Sequence, residues 1–256
     1  MFFSFCRTFL KLESCEPMRY KISREWLWRI AVFTLCFTGY SRQAEAQSEG
    51  NNGWLFLSHT QQVSDKFDVL ADVQLRSSDH FTYFSSVLLR TALSYNLNEK
   101  QSVALGYAHK GDWEQDNGQK IYVPEHRIYE QYLHNFNVEH IEMMFRGRLE
   151  QRFVKDIRYE FSQRARLLLS AQIPLIANSD FSKGVYATIQ DEVFLNVQHK
   201  NRLNGSLLDQ NRPYISGGYR VSKSLDIEFG YTRWLQREME GDETTHVMQL
   251  MITSSL

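Results

Sequence analysis

A period of two runs through most of this chain, and it limits the possible folds more than any single motif. In 67–76, Phe67, Val69, Ala71, Val73 and Leu75 point one way. Asp68, Asp72, Gln74 and Arg76 point the other, with Leu70 the exception. In 141–153, Ile141, Met143, Phe145, Gly147, Leu149 and Phe153 oppose Glu142, Arg146, Arg148, Glu150 and Arg152. In 185–198, Val185, Ala187, Ile189, Val193, Leu195 and Val197 oppose Thr188, Gln190, Glu192, Asn196 and Gln198. Residues 225–232 set Leu225, Ile227, Phe229 and Tyr231 against Asp226, Glu228, Gly230 and Thr232. Side chains alternate across a strand, so each segment reads as a strand with two unlike faces, and none fits helical spacing. The fold class is all-β.

A soluble sandwich also alternates, and a periplasmic sandwich is the competing architecture. Three features favour a closed up-and-down antiparallel transmembrane β-barrel. The segments are about ten residues or longer, as a tilted membrane-crossing strand requires, whereas soluble strands peak at five or six. Aromatic residues sit near segment ends (Trp54, Phe81, Tyr83, Tyr95, Tyr107, Phe136, Tyr231), in the manner of interfacial girdles. Arginine outnumbers lysine 14 to 8 from Gln47 onward and stands mid-strand beside glutamate, which suits a polar lumen.

Turn-like breaks at 64–66, 98–100, 137–139 and 222–224 alternate with longer polar stretches at 111–122, 154–159, 200–209 and 237–244. Eleven segments can be counted, beginning at Trp54. Bacterial single-chain barrels carry even numbers, so ten or twelve strands are expected: either a further strand lies in 47–53 or 174–184, or the first segment is not a full strand.

The N-terminus has the marks of export. Arg19, Lys21, Arg24 and Arg29 lead into the apolar run 30–37, and Ala44-Glu45-Ala46 offers small residues at −3 and −1 before Gln47. That is the pattern of a cleaved signal peptide, and the apolar run falls short of the roughly 20 residues of a spanning helix. The expected organisation is an over-read at 1–17, a signal peptide at 18–46 starting from Met18, and one barrel at 47–256. All three cysteines (Cys6, Cys15, Cys36) precede the cleavage point, so the mature chain would have no thiol chemistry. From Gln47 there are 22 Lys+Arg against 26 Asp+Glu, and no basic excess points to nucleic acid. Met248, Leu250, Ile252 and Leu256 give the last segment an apolar face of the kind that barrel-assembly machinery reads. The expected partners are that machinery and outer-membrane lipid with lipopolysaccharide; the expected location is the bacterial outer membrane.

The order of several clusters is familiar. Tyr95-Asn-Leu-Asn-Glu-Lys100, Leu105-Gly-Tyr107, Glu125-His-Arg127-Ile-Tyr-Glu130-Gln131, Arg146-Gly-Arg-Leu-Glu150-Gln-Arg152, Arg164-Ala-Arg166, Asp191-Glu192-Val-Phe-Leu-Asn196, Asp209-Gln-Asn-Arg212 and Gly230-Tyr231 follow one another along the chain. From about Trp54 to its end, the sequence resembles the bacterial outer-membrane barrel family catalogued as "domain of unknown function 2490". The resemblance implies a barrel and an envelope location, and no activity.

Three constellations could carry chemistry. His199 and Ser206, with Asn204-Gly205 between them, resemble the His, Ser and Asn of outer-membrane phospholipases, although spacing and flanks depart from that motif and a solvated loop fits as well. His126, His134 and His140 share a phase, but no carboxylate or cysteine cluster completes a metal site. Glu125 and Glu150 could serve as acid and base, but flanking arginines would hold both ionised. No catalytic residue, metal or cofactor is therefore assigned. The candidate site is a lumen charge cluster of Glu125, Arg127, Arg146, Arg148, Glu150, Arg152, Arg164, Arg166, Glu192 and Arg212, flanked by Arg76, Arg90, Arg220 and Glu228. Glu130 lies out of phase with Glu125 and Arg127, and a β-bulge would bring it into line. The expected function is a structural barrel or a small-solute channel; the alternative is a lipid-modifying hydrolase of the outer membrane.

Overall fold

The computed structural model describes residues 49–256 apart from 79–80, 117–118 and 156–157. The assigned over-read and signal peptide, 1–17 and 18–46, lie outside the described residues. The described chain forms twelve strands in sequence order. They are β1 (Glu49–Gln62), β2 (Phe67–Ser77), β3 (Phe84–Asn98) and β4 (Gln101–Asp116), then β5 (Gln119–Val138), β6 (Ile141–Lys155), β7 (Tyr159–Ala177) and β8 (Gly184–Gln198). A single helical turn, Lys200–Leu203, precedes β9 (Leu208–Asn211), β10 (Tyr214–Ser222), β11 (Leu225–Arg237) and β12 (Asp242–Ser255).

Consecutive strands pair antiparallel from β1 to β8, and again from β10 to β12. Strand β10 pairs with β8, and β12 pairs with β1, which closes the sheet. Strands β9 and β10 are collinear. Asn211 opposes Val193 and Leu235 in the register that places Tyr214 opposite Gln190 and Thr232. The Arg212 amide donates to the Glu192 carbonyl (2.9 Å), and the Pro213 carbonyl accepts from Arg233 (3.2 Å). Proline has no N–H to offer a ladder, so the assignment breaks there while the stave continues.

Twelve segments thus fill eleven positions around a closed up-and-down barrel; ten or twelve strands were expected, and the assigned strands number twelve. The eleven segments counted from sequence are these eleven staves. No further strand lies at 174–184, where β7 ends at Ala177, and residues 49–53 extend β1. An odd number of alternating strands brings the first and last together pointing the same way. The closing pair is accordingly parallel, from Glu49 opposite Thr244 to Thr60 opposite Ser255. Followed once round, the pairings return displaced by about 14 residues, which for eleven strands sets a tilt of roughly 40° and a radius of about 11 Å. That is wider than the eight-stranded barrels whose interiors side chains just fill, and narrower than the 16- to 18-stranded porins.

The two faces are inverted relative to a water-soluble protein. Leu105, Ile128, Ile215 and Phe229 stand on the outside at 61, 47, 57 and 57% exposure, and Leu89, Leu93, Leu149, Leu167 and Met248 join them. The buried set includes Arg76, Glu125, Arg127, Arg148, Glu150, Arg164, Arg166, Glu192 and Glu228. Leu70, the exception in its strand, packs inside against a small apolar cluster of Leu88, Ala92, Ala104, Ala108 and Tyr129. Tyrosines lie over inward glycines of the neighbouring strand: Tyr129 opposes Gly106 and Tyr186 opposes Gly218. A Cβ on either glycine would come within 2.3 or 2.4 Å of the ring.

Three expectations change. Trp54 is not a girdle residue: at 4% exposure it lies in the lumen. The polar stretch 111–122 is largely the far arms of β4 and β5, which stay paired from Gln101–His134 to Asp116–Gln119. That unbroken register leaves no bulge to turn Glu130 inward; it is exposed on the outer face and accepts from Gln151 Nε2 at 2.9 Å.

Candidate functional site

The two-residue period sends alternate side chains of β5, β6, β7 and β8 inward, and the tilt brings the charged ones to similar heights. Glu150 of β6 is 1% exposed and sits at the centre. It accepts from Arg166 Nη1 at 2.6 Å and Arg164 Nη2 at 2.8 Å, with Arg148 and Arg127 at 3.8 and 3.9 Å. Glu192 of β8 accepts from Arg146 Nη2 (2.7 Å) and from Arg166 Nη2 and Nε (2.8 and 3.0 Å). Glu125 of β5 takes a two-pronged contact from Arg127 (both 2.8 Å) and a third from Arg152 Nε at 2.5 Å. Arg166 therefore joins Glu150 to Glu192, and Arg127 joins Glu125 to Glu150, giving one continuous network. Guanidinium forks suit such sharing because each presents several in-plane donors.

The ten cluster residues assigned from sequence all face inward on these strands and on the β9–β10 stave, and nine of them join directly. Arg212 differs: its charge rests on aromatic rings, with Phe194 at 4.5 Å, Trp234 at 4.8 Å and Trp54 at 5.3 Å. Arg164 and Arg166 also lie over Phe194, at 5.0 and 4.5 Å, and Arg76 lies over Trp54 at 4.3 Å. Arg90 pairs with Asp72 at 2.8 Å. Nearer the end that carries the 223–224 turn, Arg220 binds Asp226, Glu142 and Gln172 and covers the Phe181 ring at 4.0 Å. Glu228 is held without arginine, by Ser216 Oγ (2.7 Å), Tyr186 Oη (3.1 Å) and Gln172 Nε2 (3.3 Å). At the opposite mouth, burial lifts the Glu238 carboxyl above its usual range, and Asp209 and Glu243 add to the shift.

Sequence reasoning missed several lumen residues. Phe194 and Tyr186 have the phase of Glu192 and Thr188, so parity alone could have placed them inside. Gln131, which accepts from Arg148 Nη2 at 2.6 Å, has the phase of Glu125 and Arg127. Asp209, which pairs with Arg164 at 2.9 Å, sits in a short irregular segment with no readable phase. Trp54 follows the same difficulty, because 54–57 is apolar on both faces. The whole lumen encloses a cavity of about 610 Å³ whose walls include Trp54, Arg76, Arg146, Arg148 and Arg212.

The other constellations are not assembled. His199 Nδ1 meets the Phe161 carbonyl at 3.2 Å, and the Ser206 backbone is tied to Asn204 and Asn196. Among the described residues no hydrogen bond joins His199 to Ser206. His126 meets the Tyr107 hydroxyl at 2.6 Å on the outside, and His134 packs at a tilt against Phe136, ring centroids 5.2 Å apart. Among the described residues no three His, Cys, Asp or Glu side chains gather as a metal site. The network can hold or repel charge; acid–base work is a poor fit for carboxylates shared among two to four guanidiniums.

A family model described as "Protein of unknown function (DUF2490)" matches residues 51–245. No curated protein and no solved structure matches the chain.

Proposed function

We propose, from the premise that this chain belongs to the DUF2490 family, that it is an integral barrel of the bacterial outer membrane. Its wall faces lipid, and its lumen is narrowed at mid-height by the Arg/Glu network. On this reading it is a structural barrel or a passage for small solutes only, and it has no catalytic role. The observation that carries the reading is the inversion of faces. An outer surface bearing Leu105, Ile215 and Phe229 at more than half exposure invites aggregation in water and is at home in hydrocarbon. Closure supports it too, since a spanning sheet must leave no unpaired edge in lipid. With a radius of about 11 Å the arginines and glutamates crowd the mid-section and leave a cavity of about 610 Å³, unlike the aqueous channel of wide porins. Lipid with lipopolysaccharide would cover the outside, and assembly machinery would engage β12, whose outward Met248 and Leu250 form an apolar stripe.

Fractionation of cells expressing the full chain, followed by gel migration with and without boiling, tests this. The protein should stay with outer membranes through salt and urea washes, and the unheated form should migrate separately. In planar bilayers it should show small conductance or none. Release by salt alone, or identical migration before and after boiling, would remove the membrane assignment; a porin-sized conductance would remove the narrowed lumen.

A further inference from the structure

The three carboxylates of the central network are used up before the arginines around it are. Glu125, Glu150 and Glu192 are each shared, while Arg76 and Arg212 have no acidic side chain within 4.0 Å among the described residues. Both lie instead over the Trp54 indole, with Trp234 packed against Trp54 at 5.1 Å. Each donates through Nη2 to the glutamine two residues earlier: Arg76 to Gln74 at 2.8 Å, Arg212 to Gln210 at 2.7 Å. The Nε of each is enclosed and has no protein partner, and Arg76 is only 7% exposed. Aromatic rings thus take guanidinium faces and glutamine one Nη2 hydrogen of each, which leaves the Nη1–Nη2 edges without an acidic partner. Those edges are what grip an oxyanion bidentately. Two like charges held on one indole, in a poorly hydrated interior, are also costly until a counter-charge joins them.

We propose that Arg76 and Arg212, braced by Trp54, form a binding site in the lumen for a tetrahedral oxyanion of the phosphate class, carried by a small solute. The site opens on the 610 Å³ cavity, which has room for such a group. The barrel wall separates it from lipid headgroups outside, so the anion arrives through the lumen. Cation–π stacking fixes each guanidinium in advance, so little side-chain freedom is lost on binding. The inference rests on the lumen being the working surface, and it does not depend on which membrane holds the barrel.

Refolded full chain in phospholipid-free detergent is titrated with inorganic phosphate, and with chloride at matched ionic strength, while tryptophan fluorescence is followed. Phosphate should give a saturable change and chloride none. Arg76→Gln and Arg212→Gln should each raise the phosphate dissociation constant at least tenfold, the usual loss for one charged hydrogen-bonding partner. Arg212→Lys keeps the charge and loses the fork, and should weaken binding similarly while disturbing the fold least. Heat-modifiable migration, measured on every sample, reports the barrel separately, so a collapsed barrel is not mistaken for a failed site. Equal responses to phosphate and chloride, or variants that bind phosphate as the parent does with the barrel intact, would overturn the site.

Discussion

Glu150 is the residue on which the lumen network turns, because it receives two close guanidiniums and faces two more at longer range. Removing one member of a buried ion pair costs far more than the pair is worth, since the partner's charge stays behind in a poorly hydrated place. Glu150→Gln preserves volume and leaves Arg164 and Arg166 facing a neutral amide. The expected loss is about 3 kcal/mol, at the low end for a broken buried pair because the lumen admits some water. It should appear as a lower midpoint in detergent thermal melts followed by circular dichroism. Arg158→Gln supplies the contrast: its pair with Glu160 has side chains 86 and 50% exposed, and its loss should leave the midpoint within error. At this scale the sequence was readable in part. A charged residue in phase with other charged residues had to face inward, so the members of the cluster could be listed. Their partners could not, because which arginine reaches which glutamate depends on inter-strand register and on the shear of the closed sheet. Arg212 shows the gap best, since its ring partners come from β1, β8 and β11.

At the scale of one element, β6 carries the clearest two-faced pattern. Arg146, Arg148, Glu150 and Arg152 take the lumen side, while Phe145 and Leu149 take the other, with Leu149 at 37% exposure. Leu149 opposes Glu130 on β5 and Ala165 on β7, near the middle of the strand. If the outer face lies in hydrocarbon, Leu149→Arg, made with Glu130→Gln so that no carboxylate stands opposite, should cost about 2–4 kcal/mol of insertion free energy relative to Glu130→Gln alone, as mid-depth charges on barrel walls do. Refolding yield into lipid vesicles, read as the fraction of heat-modifiable protein, measures it. A yield equal to that of Glu130→Gln alone would mean that this face does not meet lipid. Phase was legible here because it needs only a period of two, which β6, β8 and β11 keep over most of their length. Ends were less legible. Polar residues at 111–116 and 119–122 resemble a loop by composition, yet they pair as strand. Composition reports the solvent around a segment, and the hydrogen-bond ladder continues regardless of it.

For the whole molecule, parity decides the closure. Ten or twelve staves would join first and last antiparallel, as in bacterial barrels with both ends of the sheet on one side. Eleven staves put Glu49 beside the start of β12 and bring Gln62 to Leu256, whose carbonyl accepts the Gln62 amide at 2.7 Å. The two ends of the barrel sheet consequently lie at opposite mouths. Sequence periodicity cannot reach this, because each strand reads the same whichever way its neighbour runs; the segment count of eleven was the available signal. The seam can be tested by cross-linking. Ser58 opposes Thr253 in the parallel register, at a backbone separation of about 4.8 Å that falls within disulfide reach. Thr245 opposes Gly50, eight residues away along the seam and so about 26 Å from Ser58. With Cys6, Cys15 and Cys36 replaced by serine, the pair Ser58→Cys and Thr253→Cys should oxidise to a cross-link that changes the boiled, non-reduced migration. The pair Ser58→Cys and Thr245→Cys should stay reduced under the same conditions. An antiparallel seam would carry the end of β12 to the far mouth and reverse that preference, so cross-linking of the Thr245 pair alone would show the barrel to be closed by an even number of staves.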